Sequence, residues 1–247
     1  MGRGIGAEFM RLTRHAHLGV SDQRKGVPQP PLAWAPEHAT GTVDLPPPER
    51  CPLAQPDLRA LVAQRTSVRE YSGASLSMEQ LSFLLWSAQG VKKVVQGYVT
   101  LRTVPSAGAR YALETILLVN RVEGLAPGLY LYRPLTHALS CLRTDPGLAD
   151  AVARVCFGQD FVKAGAVTFL WVAVPYRMNW RYGERGYRYL HLDAGHAGQN
   201  LYLAAESIGA GACAVAAFDD DAANALLGLD GERMFLIYVT AVGIKRG

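Results

Sequence analysis

Apolar residues recur along this chain with the period of an α-helix in some segments and the period of a β-strand in others. From Leu81 to Ala88 the apolar positions repeat at three- and four-residue steps, and Ser77 and Gln80 precede them at capping-box spacing. From Tyr187 to Ile208 the helical period continues for about six turns. The pattern predicts one capped amphipathic helix and one long helix.

Small residues mark the apolar stripe of the long predicted helix. Gly195 and Gly198 lie on or beside this stripe, although glycine in a helix costs up to ~1 kcal/mol relative to alanine. Such a cost is offset where small residues let another backbone approach closely. The long helix is therefore expected to make a close contact with another element or another chain.

Short apolar runs rich in β-branched and aromatic residues predict a sheet. Val167–Val174 is apolar except for Thr168, as in a strand covered on both faces, which places it at the centre of that sheet. The other predicted strands are Thr115–Asn120, Gly128–Arg133, Ala138–Arg143, Ala212–Phe218 and Met234–Val242, the second and third forming a hairpin. Shorter helices are predicted at Asp57–Gln64, at Leu148–Phe157, and from an Asp219–Asp221 cap to Leu227.

The amino-terminal part of the chain has a different composition. Nine of the 14 prolines fall between Pro28 and Pro56, and proline fixes φ and lacks an N–H, which excludes an interior strand or helix. Residues 1–56 are interpreted as an extension, an extended arm with a short helix near Glu8–His17, and residues 57–247 as the folded domain. The arm is either a loose tail or a segment wrapped over a partner subunit.

Composition restricts the class of protein. With 247 residues, 49% hydrophobic and 19% charged, the chain can bury a substantial core. A net charge of +4 with scattered basic residues argues against nucleic-acid binding. The four cysteines form no C-x-x-C pair, and the longest apolar runs are shorter than the ~20 residues of a membrane span. Residues 1–9 lack a signal-peptide core and are typical of an expression remnant. We expect a cytoplasmic enzyme.

A segment rich in arginine and hydroxyl groups follows the first predicted helix of the domain. It reads Arg65-Thr66-Ser67-Val68-Arg69. Arginine offers forked donors that match phosphate oxygens, and hydroxyl and backbone N–H groups supply further hydrogen bonds. The alternative is a solvated helix end. The motifs that accompany the segment favour a phosphate-binding site.

Three further motifs follow this segment in the sequence. They are Pro105-Ser106-Ala107-Gly108-Ala109, Tyr182-Gly183-Glu184-Arg185-Gly186-Tyr187-Arg188-Tyr189 and Asp193-Ala194-Gly195-His196-Ala197-Gly198-Gln199-Asn200-Leu201. In this order the four motifs resemble the flavin-dependent nitroreductase superfamily, and within it the SagB-type dehydrogenases, over roughly residues 58–245.

The resemblance implies an α+β fold, with a mixed, mainly antiparallel sheet flanked by helices and a long central helix at the interface of a homodimer. It also implies FMN as the cofactor. The FMN contacts that it implies are Arg65, Thr66, Ser67 and Arg69 at the phosphate and ring edge, Lys245 or Arg246 completing the phosphate site, Pro105, Ser106, Ala107 and Gly108 reaching over from the neighbouring subunit, and the backbone of Ala216 and Ala217 donating toward flavin N5.

Arg181 and Tyr182 are the catalytic pair that the resemblance implies. In the azoline-oxidising members of the SagB-type group the matching dipeptide is Lys-Tyr, so this chain departs from the pattern at Arg181. A guanidinium with a pKa above ~12 cannot act as a base at neutral pH, although it can hold an anionic or polar substrate. Tyr182 can still act as an acid.

Two other motifs do not have the spacing or the context of the ligand sites that they resemble. His191 and His196 are five residues apart, which does not place both on one helix face, so no metal site is expected. Gly209-Ala210-Gly211 follows a helix rather than a strand, which excludes a dinucleotide-binding fingerprint.

The expected activity is hydride transfer through FMN in alternating half-reactions. One version dehydrogenates a peptide or small-molecule heterocycle, and another reduces nitro, quinone or enone compounds with NAD(P)H. A third interpretation, from a different class, is a flavin-binding scaffold without catalysis inside a biosynthetic complex.

Overall fold

A computed structural model describes residues 4–36 and 38–246 of the chain. Two sheets are present in this part. The strands are β1 (Thr42–Asp44), β2 (Val91–Val95), β3 (Val99–Arg102), β4 (Leu113–Val119), β5 (Gly128–Arg133), β6 (Ala138–Arg143), β7 (Val167–Ala173), β8 (Ala210–Val215) and β9 (Phe235–Ile244). The α-helices are α1 (Ile5–Leu12), α2 (Leu58–Gln64), α3 (Met78–Gln89), α4 (Leu148–Val155), α5 (Phe161–Ala164), α6 (Pro175–Tyr182), α7 (Gly186–Ser207) and α8 (Asp220–Leu227).

The larger sheet has seven strands in the order β1-β6-β5-β4-β7-β9-β8, and each of these pairings is antiparallel. Strand β7 lies between β4 and β9 and is buried along its whole length. Its predicted central position is therefore confirmed. β2 and β3 form a separate antiparallel hairpin.

Alternating side chains of the central strands pack against helices on both faces of the sheet. Phe169 and Trp171 belong to the core cluster under α3 and α7, whereas Leu170 and Val172 belong to the cluster under α4 and α8. Because successive side chains of a strand point to opposite faces, a strand that is buried along its whole length requires cover on both sides. The fold is therefore α+β with a helix layer on each face of the sheet, as predicted.

The capping box of α3 is confirmed. The backbone N–H of Gln80 donates to Ser77 Oγ at 3.2 Å, and Ser77 N donates to the Gln80 side chain at 2.9 Å. The long helix α7 is also confirmed, and one of its glycines lies close to the sheet. A Cβ atom at Gly198 would lie 3.1 Å from Cε1 of Tyr238 on β9, whereas a Cβ at Gly195 would meet open space.

The amino-terminal arm lies along its own chain. α1 overlaps the predicted helix, and Arg188 Nε of α7 donates to Thr13 Oγ1 at 2.7 Å. Further on, Trp180 Nε1 donates to Val27 O at 2.8 Å, and β1 adds an edge strand beside β6. Strand β1 lies within the predicted extension but belongs to the sheet of the domain. The division of the chain at residue 56 therefore stays a prediction.

Some elements differ from the sequence predictions. The β2–β3 hairpin was not predicted, because Lys92, Lys93 and their neighbours are exposed and give no apolar alternation. Helix α6 was not predicted either, because it starts at Pro175, directly after a strand, where proline is tolerated in the first turn. The helix predicted to reach Phe157 ends at Val155, and Phe157 has a positive φ of 55°.

Candidate functional site

The arginine-rich segment runs from the end of α2 along the edge strand β8. Val68 N donates to Ala212 O at 2.9 Å, and Ser67 pairs with Ala212 in a parallel bridge. A Cβ atom at Gly211 would lie 2.5 Å from Cγ2 of Val68, so glycine is required for this close approach. The segment is thereby fixed against the sheet, with Thr66 exposed to solvent.

Tyr202 of α7 organises one end of this segment. The guanidinium of Arg65 lies 5.4 Å from the centroid of the Tyr202 ring, and Ser67 Oγ lies 3.1 Å from Tyr202 Oη. The same hydroxyl accepts a hydrogen bond from Ala214 N of β8 at 2.7 Å. Arg65, Ser67 and β8 therefore meet at one tyrosine.

Arg69 lies at the other end of the segment. Its guanidinium is 5.8 Å from the ring centroid of Phe161, on α5. Within residues 4–36 and 38–246, no carboxylate lies within salt-bridge distance of Arg65 or Arg69. Both guanidiniums therefore keep donors for a small anion, although they rest on different aromatic rings.

The end of β9 meets the same segment. Tyr71 pairs with Lys245 in an antiparallel bridge, and Arg246 Nε donates to Tyr71 O at 3.1 Å. Lys245 forms an ion pair with the buried Glu206, and Arg246 Nη1 lies 3.3 Å from Glu70 Oε2. The two carboxy-terminal cations thus lie near the predicted phosphate site, but each already has a carboxylate partner.

Ala216 and Ala217 follow β8 and are exposed. Ala217 O accepts a hydrogen bond from Gln159 Nε2 at 3.2 Å. Because β8 is also the strand beside Ser67, these two residues continue the edge on which the arginine-rich segment lies. The first group of predicted site residues is therefore built on β8, α7 and the end of β9.

The Pro105–Gly108 turn forms a second group with α6 and α7. Ser106 Oγ donates to Asp193 of α7, and Ala107 N donates to the other oxygen of this carboxylate at 3.3 Å. Gly108 has a φ of 57°, and a Cβ atom there would collide with Tyr182 Oη and lie 3.0 Å from Arg181 Nε. The turn is thus held directly against the predicted catalytic pair.

Helix α7 separates the two groups. Asp193 anchors the second group and Tyr202 the first, and nine residues of an α-helix span about 14 Å along its axis. Among the described residues, no hydrogen bond or ion pair joins the two groups. A single chain therefore presents two separate parts of the predicted site.

Asp193 is 5% exposed. Burial raises the pKa of its carboxyl above the usual value, and the hydrogen bonds from Ser106 and Ala107 partly counteract this rise. Tyr182 is half-buried and packs edge-to-face on Tyr189, with 4.8 Å between ring centroids. Arg181 is exposed, and its guanidinium lies 5.6 Å from the Tyr182 ring centroid.

The raised pKa of Asp193 predicts a pH effect on stability. An acid with a folded-state pKa above its unfolded value of ~3.9 contributes stability below that value and loses it as the pH rises through the folded pKa. We therefore expect the free energy of unfolding of the wild type, relative to the Asp193→Asn variant, to fall as the pH increases above about 4. Urea unfolding between about pH 3 and pH 7 measures this difference.

Asp230 provides a control of opposite sign. Backbone N–H groups, first that of Met234, and the Arg233 side chain lower the pKa of this exposed carboxyl. Relative to Asp230→Asn, the wild type should lose stability as the pH falls below about 4. If the difference in unfolding free energy between wild type and variant changed with pH in the same direction for both substitutions, the raised pKa of Asp193 would be contradicted.

Sequence reasoning did not assign roles to Asp193, Tyr202 or Gly211. Asp193 stands inside a quoted motif, but nothing in the sequence shows that its side chain reaches the Pro105–Gly108 turn. Tyr202 and Gly211 act through contacts with Ser67 and Val68, more than 130 positions earlier in the chain. Such long-range packing carries no local sequence signal.

Two further observations concern the part of the chain that the structure describes. None of its helices combines the length and apolar character needed to cross a bilayer. Residues 4–36 and 38–246 also contain no group of three or more His, Cys, Asp or Glu side chains that could hold a metal ion. His191 Nδ1 instead lies 2.9 Å from Tyr187 O on its own helix.

The fold is an antiparallel sheet covered by helices on both faces, and a segment of arginine and hydroxyl residues lies along its edge strand. The protein is therefore of the α+β class and has a candidate anion site. Residues 62–244 match the sequence profile of the nitroreductase family. This chain belongs to the nitroreductase family.

Individual proteins support this assignment. A protein of Methanocaldococcus jannaschii with a provisional nitroreductase name is 36% identical over 171 residues, covering 69% of this chain and 83% of that protein. A crystal structure from Anabaena variabilis with a similar provisional name has a TM-score of 0.66 and 29% identity over 86% of this chain. The chain spans only 45% of that Anabaena protein.

The fold is also found in a biosynthetic complex. A chain of the Escherichia coli microcin synthetase McbBCD complex, with truncated pro-MccB17 bound, has a TM-score of 0.61 at 23% identity, covering 75% of this chain and 73% of that one. At this identity the likeness concerns the fold alone.

Proposed function

We propose that this protein is an FMN-dependent oxidoreductase whose cofactor phosphate binds at the arginine-rich segment. The observation that carries the proposal is the pair Arg65 and Arg69, which flank Ser67 on the sheet edge without a carboxylate partner among the described residues. Family membership makes a flavin the expected occupant of such a site.

The donor set fits a phosphate. Forked guanidinium groups and hydroxyls form charge-assisted hydrogen bonds with phosphate oxygens. Arg65, Thr66, Ser67 and Arg69 supply these groups, while Lys245 and Arg246 lie nearby, each paired with a carboxylate. The exposed backbone of Ala216 and Ala217 continues the same edge and suits the position of the flavin ring.

We further propose that two copies of the chain form a homodimer and share the cofactor sites. Apolar side chains are exposed on α2 and α7: Leu58 is 64%, Val62 60% and Leu192 57% exposed. The same two helices contribute to a groove of about 420 Å³, whose apolar lining includes Leu53, Leu61, Phe83, Trp86 and Leu203. Exposed apolar surface of this kind is typical of an interface.

In a dimer, the Pro105–Gly108 turn of one chain would approach the cofactor held by the other. Asp193 positions this turn, and Tyr182 and Arg181 lie directly against Gly108. Bound FMN would accept a hydride and pass it to a second substrate. Tyr182 would then exchange a proton with the substrate through its Oη, and Arg181 would orient a polar or anionic substrate group.

The proposal includes two directions of reaction, oxidation and reduction of the substrate. Dehydrogenation of a heterocycle, as in a SagB-type enzyme, would need a base other than Arg181. Reduction of a nitro, quinone or enone compound with NAD(P)H needs a proton donor, which Tyr182 can be. NADPH oxidation in the presence of a nitroaromatic compound, compared with the rate for free FMN, separates the two.

The alternative is a flavin-binding scaffold without catalysis. A protein that binds FMN and is reduced by dithionite, but by no nicotinamide donor, would favour this alternative.

The phosphate assignment is tested by Arg65→Ala. Loss of a charged donor to phosphate costs about 1.5–3 kcal/mol, so the dissociation constant for FMN should rise about 10- to 100-fold. Quenching of FMN fluorescence on binding measures the constant. Arg59→Ala removes an exposed arginine of neighbouring α2 and should leave the constant unchanged. Equal affinities for wild type and Arg65→Ala would refute the proposed phosphate site.

A further inference from the structure

A second cavity lies beside the predicted catalytic pair and is closed on one side by the amino-terminal arm. This cavity, here called the arm cavity, has a volume of about 370 Å³. The arm contributes His15, Ser21, Gln23 and Arg24 to its lining, and α6 contributes Arg181 and Tyr182. The arm therefore forms part of the surroundings of the candidate active site.

The arm cavity is positively charged. Its lining contains two arginines and a histidine and no acidic residue. Within residues 4–36 and 38–246, no carboxylate lies within salt-bridge distance of Arg24 or Arg181. A third arginine, Arg110, lies near Arg181. Burial lowers the pKa of Arg110, and the charge of Arg181 lowers it further. Three arginines therefore concentrate positive charge here.

Asp22, two residues before Arg24 in the sequence, does not compensate this charge. Asp22 accepts hydrogen bonds from Lys25 Nζ at 3.1 Å and from Tyr176 Oη at 3.2 Å, and it lines a different cavity. Its carboxylate is therefore engaged outside the arm cavity. The cations of the arm cavity remain available to a ligand.

The arm holds its cavity residues in place through backbone contacts with α6. Gln23 N donates to Trp180 O at 2.9 Å, and Trp180 Nε1 donates to Val27 O at 2.8 Å. These hydrogen bonds lie on both sides of Arg24. Because the backbone is fixed there, the cavity is formed before a ligand enters, which reduces the entropic cost of binding.

We infer that the arm cavity binds the carboxylate or phosphate group of the small molecule that reacts beside Tyr182. This inference rests on the proposed function, since it assigns the substrate class of the same site. Arg24 and Arg181 would hold the anionic group with forked hydrogen bonds, and Leu18 and the Tyr182 ring would contact its apolar body. Substrate selection would then depend on the arm as well as on the domain.

Isothermal titration of the whole 247-residue chain in a phosphate-free buffer tests the inference. The probes are benzoate, phenyl phosphate and the uncharged benzamide. We expect at least one anion to bind at least ~10-fold more tightly than benzamide, because charge-assisted hydrogen bonds are about twice as strong as neutral ones. The tighter of the two anions identifies the head group. Equal binding of all three probes would overturn the inference.

Arg24→Gln locates the binding. This variant should weaken binding of the preferred anion about 10-fold, whereas Arg14→Gln, an exposed arginine of the same arm outside the cavity lining, should not change it. An unchanged affinity in Arg24→Gln would contradict the assignment. Titration with FMN on the same samples separates the two proposals: anion binding that depends on Arg24 without any FMN binding leaves the arm cavity intact and removes the proposed flavin function.

Discussion

Replacing Glu114 by alanine is expected to lower the free energy of unfolding by about 3–5 kcal/mol, as for other buried ion pairs that lose one partner. Glu114 on β4 and Arg177 on α6 form an ion pair with side chains only 3% and 5% exposed. Trp34 N donates to the same carboxylate at 2.6 Å, and Arg177 Nε donates to Pro31 O at 2.8 Å. Glu114→Ala would leave a buried guanidinium uncompensated and remove one of the hydrogen bonds that hold the arm.

Urea unfolding measures this loss, and Asp145→Ala serves as the control. Asp145 pairs with Arg143 through side chains that are 57% and 47% exposed, and exposed pairs contribute about 0–1 kcal/mol. Limited proteolysis should also cut the arm of Glu114→Ala sooner than that of the control. A loss for Glu114→Ala no larger than the loss for Asp145→Ala would show that the buried pair does not stabilise the fold.

The anchoring of the arm shows where sequence reasoning ends. The prolines between Pro28 and Pro56 excluded regular interior structure, and that prediction agrees with the short edge strand β1. The partners of the arm, Glu114 and Arg177, carry no such signal, because one stands in an apolar strand and the other in an unpredicted helix. Which surface an extended segment follows depends on tertiary contacts.

The elements were predicted more accurately where local chemistry determines them. The Ser77–Gln80 capping box and the Asp219 cap both accept the predicted backbone N–H, because a cap is satisfied within its own turn. The motifs predict one ligand site shared between two subunits, with the Pro105–Gly108 turn reaching over from the neighbouring chain, and this assignment stays a prediction. In the single chain the motifs form two groups, about 14 Å apart along α7. This distance could not be predicted, because the order of the motifs carries no information about their separation in space.

This distribution leads to the prediction with the largest functional effect. If the cofactor site combines the Arg65 group of one chain with the Gly108 group of another, two defective chains can restore one site. Arg65→Glu places a negative charge at the proposed phosphate position, and Gly108→Val introduces a side chain where Tyr182 already lies, at a φ of 57°. Each variant alone should bind almost no FMN.

Co-expression of the two variants with different affinity tags isolates the mixed dimer. In that dimer one site carries both substitutions and the other carries neither, so we expect about one FMN per dimer, half of the wild-type content. Absorbance of the purified mixed dimer measures the FMN content directly. Thermal unfolding of each variant alone shows whether a lack of FMN reflects a site defect or a chain that does not fold.

A reciprocal experiment distinguishes a site shared between chains from a site built within one chain. A chain carrying both Arg65→Glu and Gly108→Val, paired with a wild-type chain, has one substitution in each shared site and should bind no FMN. If each site were built within one chain, the results would be reversed: the first mixed dimer would bind none and the second would bind one. The reversed pattern would therefore place the Pro105–Gly108 turn beside the cofactor of its own chain.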